Sequence, residues 1–172
     1  MLVVEGVSTL SRQRERRKST MVGTPHRWRM SRSDKNKALV HRAWKLADNP
    51  DGLDEVYAPD VVWHEPDQEI RGLEQAKQFV TMYKTAFPDM TVTVEDVIAE
   101  GDKVVSRVTL RGTHQGETEE FGPPTGRQVE IKGLTIHRIE DGKIAEEWER
   151  YDNLSIMQQL GLVPKEQQQT GS

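Results

Sequence analysis

Residues 112–164, GTHQGETEEFGPPTGRQVEIKGLTIHRIEDGKIAEEWERYDNLSIMQQLGLVP, decide the fold. Apolar and polar residues alternate over Gln128–Ile139 and again over Lys143–Tyr151, which predicts two strands. The acidic stretch Glu140–Gly142 between them predicts a tight hairpin turn, and Asn153–Leu160 reads as a short apolar helix that ends at a glycine. Acidic side chains therefore recur on a small curved sheet. This arrangement predicts a polar pocket that needs no metal, cofactor or cysteine.

The residues before this stretch show two helical patterns and then a change of period. Apolar residues recur at helical spacing between Asp34 and Asn49 and again between Gly72 and Pro88, with a single helical turn expected over Leu53–Tyr57. The strands expected upstream are Val61–His64, Thr91–Ile98 and Lys103–His114. Helices followed by a run of strands predict an α+β domain, with the N-terminal helices packed on one face of an antiparallel sheet.

Composition limits the class of protein. A chain of 172 residues is long enough for one self-sufficient domain. We assign this domain to residues 31–164, between a basic, disordered extension over residues 1–30 and a polar tail over residues 165–172. The absence of Cys excludes disulfides, thiolate nucleophiles and Cys-ligated metal sites. The lack of Cys leaves the redox compartment open, with a cytoplasmic protein as the commoner interpretation, and the apolar runs are too short to span a membrane.

Charge also argues against nucleic acid as a partner. Residues 1–30 hold seven Lys or Arg and two Glu, although the whole chain has a net charge of −4. The predicted domain is therefore acidic and would repel phosphate. No His, Asp and Glu residues have the spacing of a metal site. We expect neither nucleic acid nor a metal to bind.

Several short motifs, taken together, resemble one family. They are ApDVVWHEP at residues 58–66, FPDMTVTVEDVIAEGDKV at 87–104, GTHQG at 112–116 with GPPTGR at 122–127, IHRIEDGKIAEEWERYD at 136–152 and QQLGLVP at 158–164. Their order and spacing resemble a SnoaL-like polyketide cyclase, within the superfamily of nuclear transport factor two and ketosteroid isomerase.

The resemblance implies a fold, an activity and site residues. It implies a cone-shaped curved sheet with a helix-lidded pocket, usually in a homodimer built on the convex face, and here Val105, Val108, Leu134 and Ile136 are expected on that face. The family's acid/base, an Asp on the last long strand, falls on Glu149. The position of the family's polarising His falls on Thr135. The position of Glu65 resembles the place where ketosteroid isomerase carries its catalytic carboxylate.

The hairpin register decides which of these residues share a face. A three-residue loop ending at Gly142 places Thr135 opposite Glu147, and then Thr135, His137, Glu147, Glu149 and Tyr151 lie on one face. A two-residue Asp141-Gly142 turn instead groups Glu147 and Glu149 with Ile136 and Arg138. Both registers stay open at this stage, and so does a solvent-facing position for the two glutamates.

Five further residues are candidates for contacting substrate. Trp63 and His64 alternate on a strand, and we favour His64 as the polar wall residue. His137 and Glu147 follow from the three-residue register, and Trp44 and Tyr83 lie on the predicted helices. A packing role for Trp44 is the competing interpretation.

The predicted reaction is proton transfer next to a carbonyl. Glu149 would remove an acidic proton from a small hydrophobic, polyketide-like substrate, and intramolecular aldol closure or isomerisation would follow. Thr135 or His137 would hydrogen-bond the substrate oxygen, and Glu65 would face the mouth of the pocket. Two alternatives remain, namely a dehydratase or hydrolase on the same fold, and a ligand-binding or dimerising module without catalysis.

Overall fold

The computed structural model describes residues 30–164. Its helices are α1 (Arg32–Lys45), α2 (Leu73–Ala86) and α3 (Asn153–Leu160), with a 3-10 helix over Pro50–Glu55. Its strands are β1 (Tyr57–His64), β2 (Glu69–Arg71), β3 (Thr91–Glu100), β4 (Lys103–Thr113), β5 (Gln128–Glu140) and β6 (Lys143–Tyr151). The predicted basic extension, apart from Met30, and the polar tail lie outside the described residues.

The strands form one curved, unclosed sheet in the order β2-β1-β6-β5-β4-β3. The helices pack on its concave face, which confirms the predicted fold class. A purely antiparallel sheet was predicted, but the sheet is mixed, because β1 pairs with β6 in parallel. The chain enters β1 before α2 and returns to it only through β6, so local sequence patterns carry no information on this pairing.

The β5–β6 hairpin differs from both predicted registers. Asp141 and Gly142 have φ values of 47° and 77° and form a two-residue turn, with Glu140 opposite Lys143. A bulge at Ala145 then adds one residue to β6. The residues beyond the bulge therefore face the side that a three-residue loop would have given them. The structure therefore combines the two-residue turn of one alternative with the shared face of the other, and the predicted pairing of Thr135 with Glu147 is wrong.

The corrected register sets the partners of the acidic residues on β6. Thr135 lies opposite Glu149, and His137 lies opposite Glu147. All four of these side chains are buried on the concave face. The bulge therefore brings two carboxyl groups of β6 under the helices, although the turn alone would have directed them outward.

Helix α1 starts at a capping box. The Ser31 hydroxyl accepts a hydrogen bond from the Asp34 backbone N–H, and the Asp34 carboxylate accepts one from the Ser31 N–H, which satisfies donors at the helix N-terminus. Val40 and Ala43 of α1 and Ala76 and Val80 of α2 are buried against the sheet. Among residues 30–164, no helix is long and apolar enough to cross a membrane.

Candidate active site

A cavity lies between the helices and the concave face of the sheet. Its volume is about 90 Å³, room for several water-sized groups. Its walls are mostly aromatic and aliphatic, and its acidic groups are Glu65 and Glu149. The aromatic lining residues are Trp44, Tyr57, Trp63, Phe79, Tyr83 and Tyr151. Such a concave apolar site with few polar groups is typical of a small-molecule site.

The parallel pairing of β1 with β6 brings the two carboxyl groups together. Trp63 lies opposite Glu147, and His64 lies opposite Trp148. One residue further along, Glu65 reaches the level of Glu149. Alternation along a strand turns both toward the cavity. Two carboxyl groups that are 84 positions apart in the chain thus face one ligand space.

Burial changes the acidity of this pair. The pKa of Glu149 is raised well above its usual value, mainly because the group is buried and further because Glu65 and Glu147 place negative charge beside it. Burial also raises the pKa of Glu65 to about 7. A hydrogen bond with Glu149 opposes this shift in the pKa of Glu65 and adds to the shift of Glu149. Near neutral pH the pair therefore holds a proton that two exposed glutamates would have lost.

Two tyrosines complete the polar part of the cavity. Burial, followed by the negative charge of nearby glutamates, raises the pKa of Tyr83 and of Tyr151. Both phenols therefore stay protonated at physiological pH, and each offers an O–H group to the cavity or to Glu149. Tyr151 packs where a Cβ on Gly133 would stand only 2.1 Å from its ring, so this glycine makes room for the tyrosine.

A second polar layer lies behind the cavity wall. His137 Nδ1 is 2.5 Å from Glu147 Oε1, and the Tyr57 hydroxyl donates to the same oxygen at 3.1 Å. His137 Nε2 is 2.8 Å from Ser106 Oγ, which accepts a hydrogen bond from Trp44 Nε1 at 3.0 Å. His137 and Glu147 are each only 1% exposed. This layer joins helix α1 to the floor of the sheet.

The structure divides the predicted site residues into three groups. Glu149, Glu65, Trp44 and Tyr83 line the cavity. The other residues predicted on the concave face, Thr135, His137 and Glu147, are buried but do not line it. Thr135 lies directly opposite Glu149.

His64 forms the third group, and its predicted position is wrong. Its ring stacks on Trp148 at 5.3 Å, and its Nε2 lies 2.9 Å from Glu146 Oε1, on the convex side of the sheet. Trp63 takes the inward position instead. The alternation was read correctly, but burial of the large indole in the core favours Trp63 over an imidazole.

Sequence reasoning missed the contribution of Tyr57, Trp63, Phe79 and Tyr151 to the cavity. Phe79 was recognisable from the helical spacing, and Tyr151 was recognisable from its place on the Glu149 face. Tyr57 was assigned to a helical turn, whereas it begins β1. Within residues 30–164, no three His, Asp or Glu side chains are grouped so as to hold a metal ion.

Comparison with known proteins places this site in a family. The SnoaL-like polyketide cyclase family matches residues 38–160. No curated protein matches the chain significantly. A protein from Jannaschia sp. CCS1, assigned as a SnoaL-like polyketide cyclase, superposes with a TM-score of 0.71 at 28% identity, over 79% of this chain and 98% of that one.

Two Streptomyces proteins are also similar. IdmH from Streptomyces antibioticus, assigned as a polyketide cyclase, is 33% identical with a TM-score of 0.63, over 73% of this chain and 98% of that one. AclR from Streptomyces galilaeus, assigned as a hydroxylase, is 28% identical with a TM-score of 0.69, over 79% of this chain and 87% of that one. The match over residues 38–160 covers both the cavity and the sheet that builds it, and the chain therefore belongs to the SnoaL-like polyketide cyclase family.

Proposed function

We propose that this protein is a cofactor-independent enzyme that moves a proton at a carbon next to a carbonyl group of a small hydrophobic substrate. The observation that carries the proposal is the Glu65–Glu149 pair in an aromatic cavity. A carboxylate that is removed from water, and whose pKa is raised, is a stronger base than an exposed one. The cavity supplies this environment for both groups.

The pair supports a division of roles. The hydrogen bond between the two groups favours the proton on Glu149 in the free protein. The reactive form is the one in which this proton has passed to Glu65, so that Glu149 acts as the base that accepts the C–H proton and Glu65 acts as the acid. The enolate carbon then attacks a second carbonyl carbon of the same substrate and forms a C–C bond. The resulting alkoxide oxygen takes the proton from Glu65, so the substrate gains and loses one proton in total. Protonation of the enolate at another carbon would give isomerisation instead.

The charge of the cavity supports an uncharged substrate. Among the described residues that line it, none is Lys, Arg or His, and the two carboxyl groups are those of Glu65 and Glu149. A substrate carboxylate would enter beside two carboxyl groups without a cation to offset its charge. We therefore infer that the enolisable compound carries its carbonyls as ketones, esters or thioesters, in keeping with a polyketide.

Deuterium exchange tests this proposal without knowledge of the product. Small hydrophobic β-diketones and β-ketoesters incubated with the protein in D₂O should exchange their α-protons faster than in buffer, as followed by ¹H NMR. The matching β-keto acids should bind at least about tenfold more weakly than their esters, because their charge is unpaired in the cavity. Saturable binding without exchange would favour a ligand-binding module without catalysis.

The convex face supports a homodimer. Ile98, Leu134 and Ile136 are 68%, 50% and 38% exposed there, and Ile98, Val105, Ile136 and Trp148 lie in one row across four strands. Val108 was also expected on this surface, and that prediction is wrong, because Val108 is 1% exposed in the concave core. A second copy packed on the row would bury this apolar area.

Ile136→Lys should therefore disrupt the dimer. The variant places a charge at the centre of the row, and we expect its dimer dissociation constant to rise at least about tenfold. Sedimentation velocity at micromolar concentration measures the change. Leu154→Lys is the matched control, because Leu154 is 62% exposed on helix α3 and is not part of the row. A wild-type protein that sediments as a monomer would contradict the proposed assembly.

A further inference from the structure

The hydrogen bonds behind the cavity wall run in one direction. The Trp44 indole nitrogen is only a donor, so Ser106 Oγ must accept from it. The Ser106 hydroxyl has one hydrogen, and among the described residues its other hydrogen-bond partner is His137 Nε2. The serine therefore donates to this nitrogen, which must be unprotonated to accept.

The direction continues to Glu147. With Nε2 as the acceptor, the ring hydrogen of a neutral His137 lies on Nδ1, which donates to Glu147 Oε1. The Tyr57 hydroxyl donates to the same oxygen. Among the described residues, Glu147 thus receives two hydrogen bonds and gives none, which is the arrangement of an ionised carboxylate.

An imidazolium would not fit the same contacts. If His137 Nε2 carried a hydrogen, both Trp44 and His137 would donate to Ser106 Oγ. Neither of these two partners could then accept the hydrogen of the serine hydroxyl. Since the serine is fully buried, a donor without an acceptor costs free energy. The contacts therefore favour a neutral histidine next to a charged glutamate.

We propose that the chain from Trp44 through Ser106 and His137 holds Glu147 as a buried carboxylate, and that the charge of Glu147 keeps a proton on the Glu65–Glu149 pair. Glu147 is then a positioning residue for the acid/base chemistry and does not touch substrate. This inference rests on the proposed function, since it assigns the origin of the proton that Glu65 donates.

Geometry and charge support the role of Glu147. It lies two residues from Glu149 on the same face of β6, and at 1% exposure water screens its charge poorly. Its charge raises the pKa of both Glu65 and Glu149, after the larger effect of burial. The other titratable groups around the pair are Tyr57 on β1, Tyr83 on α2, Tyr151 on β6, and Asp67, Glu120 and Arg150 near Glu65 or Tyr83.

Carboxyl NMR titration tests the proposal on the free protein. With ¹³C-labelled glutamate side chains, Glu147→Gln should lower the titration midpoints of Glu65 and Glu149 by about one pH unit or more, because a like charge has been removed. Glu146→Gln is the matched control. Glu146 is the neighbouring residue on β6, but it faces Arg138 and His64, so its substitution should leave both midpoints in place. Midpoints that stay unchanged in Glu147→Gln would overturn the proposal.

Histidine NMR supplies a second readout that needs no substitution at Glu147. The ¹⁵N signals of His137 should show a neutral ring protonated at Nδ1, and Ser106→Ala should shift them because Nε2 loses its donor. An imidazolium signature in the wild-type protein would overturn the proposal. Neither measurement uses turnover, so an active Glu149→Gln variant would refute the proposed reaction and leave this inference standing.

Discussion

Replacing Glu149 by Gln should lower the rate of α-proton exchange or turnover by about 10²–10⁴-fold, with substrate affinity changed little. The amide keeps the size of the side chain but cannot accept the C–H proton. Burial of Glu149 at 8% exposure leaves little room for water to replace it as the base. Rates and saturation curves with one exchanging carbonyl compound would measure kcat and KM separately.

Two neighbours on β6 serve as controls for this loss. Glu146→Gln removes a carboxylate on the convex side, where Glu146 contacts Arg138 and His64, and should leave kcat within about twofold. Glu147→Gln should cost less than Glu149→Gln and should shift the pH profile. Full activity of the Glu149 variant would refute the mechanism, whereas a joint loss of binding and activity would indicate a structural carboxylate.

Much of the fold follows from local patterns. Asn153–Leu160 was predicted as a helix with the bounds that the structure shows, because its apolar spacing ends at Gly161, which adopts a left-handed φ of 76°. The four strands from Thr91 to Tyr151 were also found, since alternation is strong where one face is buried. Strand β2 was missed, since three residues are too few to show a period.

The site depends on two features that local patterns do not encode. The parallel β1–β6 pairing brings Glu65 to Glu149, and it is a contact between the two ends of the domain. The Ala145 bulge directs Glu147 and Glu149 inward, and it corrects the phase set by the Asp141-Gly142 turn. Of the two predicted registers, the three-residue loop gave the correct face, because it shifts the phase by one residue as the bulge does.

The difference between local sequence patterns and long-range packing also explains which individual side chains were predicted correctly. Glu149 was assigned through a resemblance to a family motif, and the cavity that it lines supports that assignment. His64 was assigned by weighing two neighbours on one strand, where alternation fixes that they face opposite sides but not which one is inside. Packing decided this in favour of Trp63, which contacts Tyr57 and Phe79 in the core.

Glu65→Gln should stabilise the protein at pH 8 and much less at pH 5. The pKa of Glu65 is about 7 in the folded protein, mainly because of burial, against an ordinary value of 4.5. Between these values the folded state binds more protons than the unfolded state, so the free energy of unfolding falls as pH rises. The favourable contribution is complete below pH 4.5 and is lost above 7. This difference in pKa corresponds to a change in the free energy of unfolding on the order of 3 kcal/mol.

Chemical denaturation of the wild type and the variant at pH 5 and pH 8 measures this effect. The wild-type protein should lose stability between these pH values, and the variant should lose less, because the amide remains neutral throughout. Glu146→Gln is the control of opposite sign, since hydrogen bonds from Arg138 and His64 lower the pKa of Glu146 and its loss should not stabilise the fold at pH 8. A Glu65→Gln variant that is less stable than the wild type at pH 8 would show that this carboxyl group is charged and held by partners. The acid assigned to the reaction would then have to be another group.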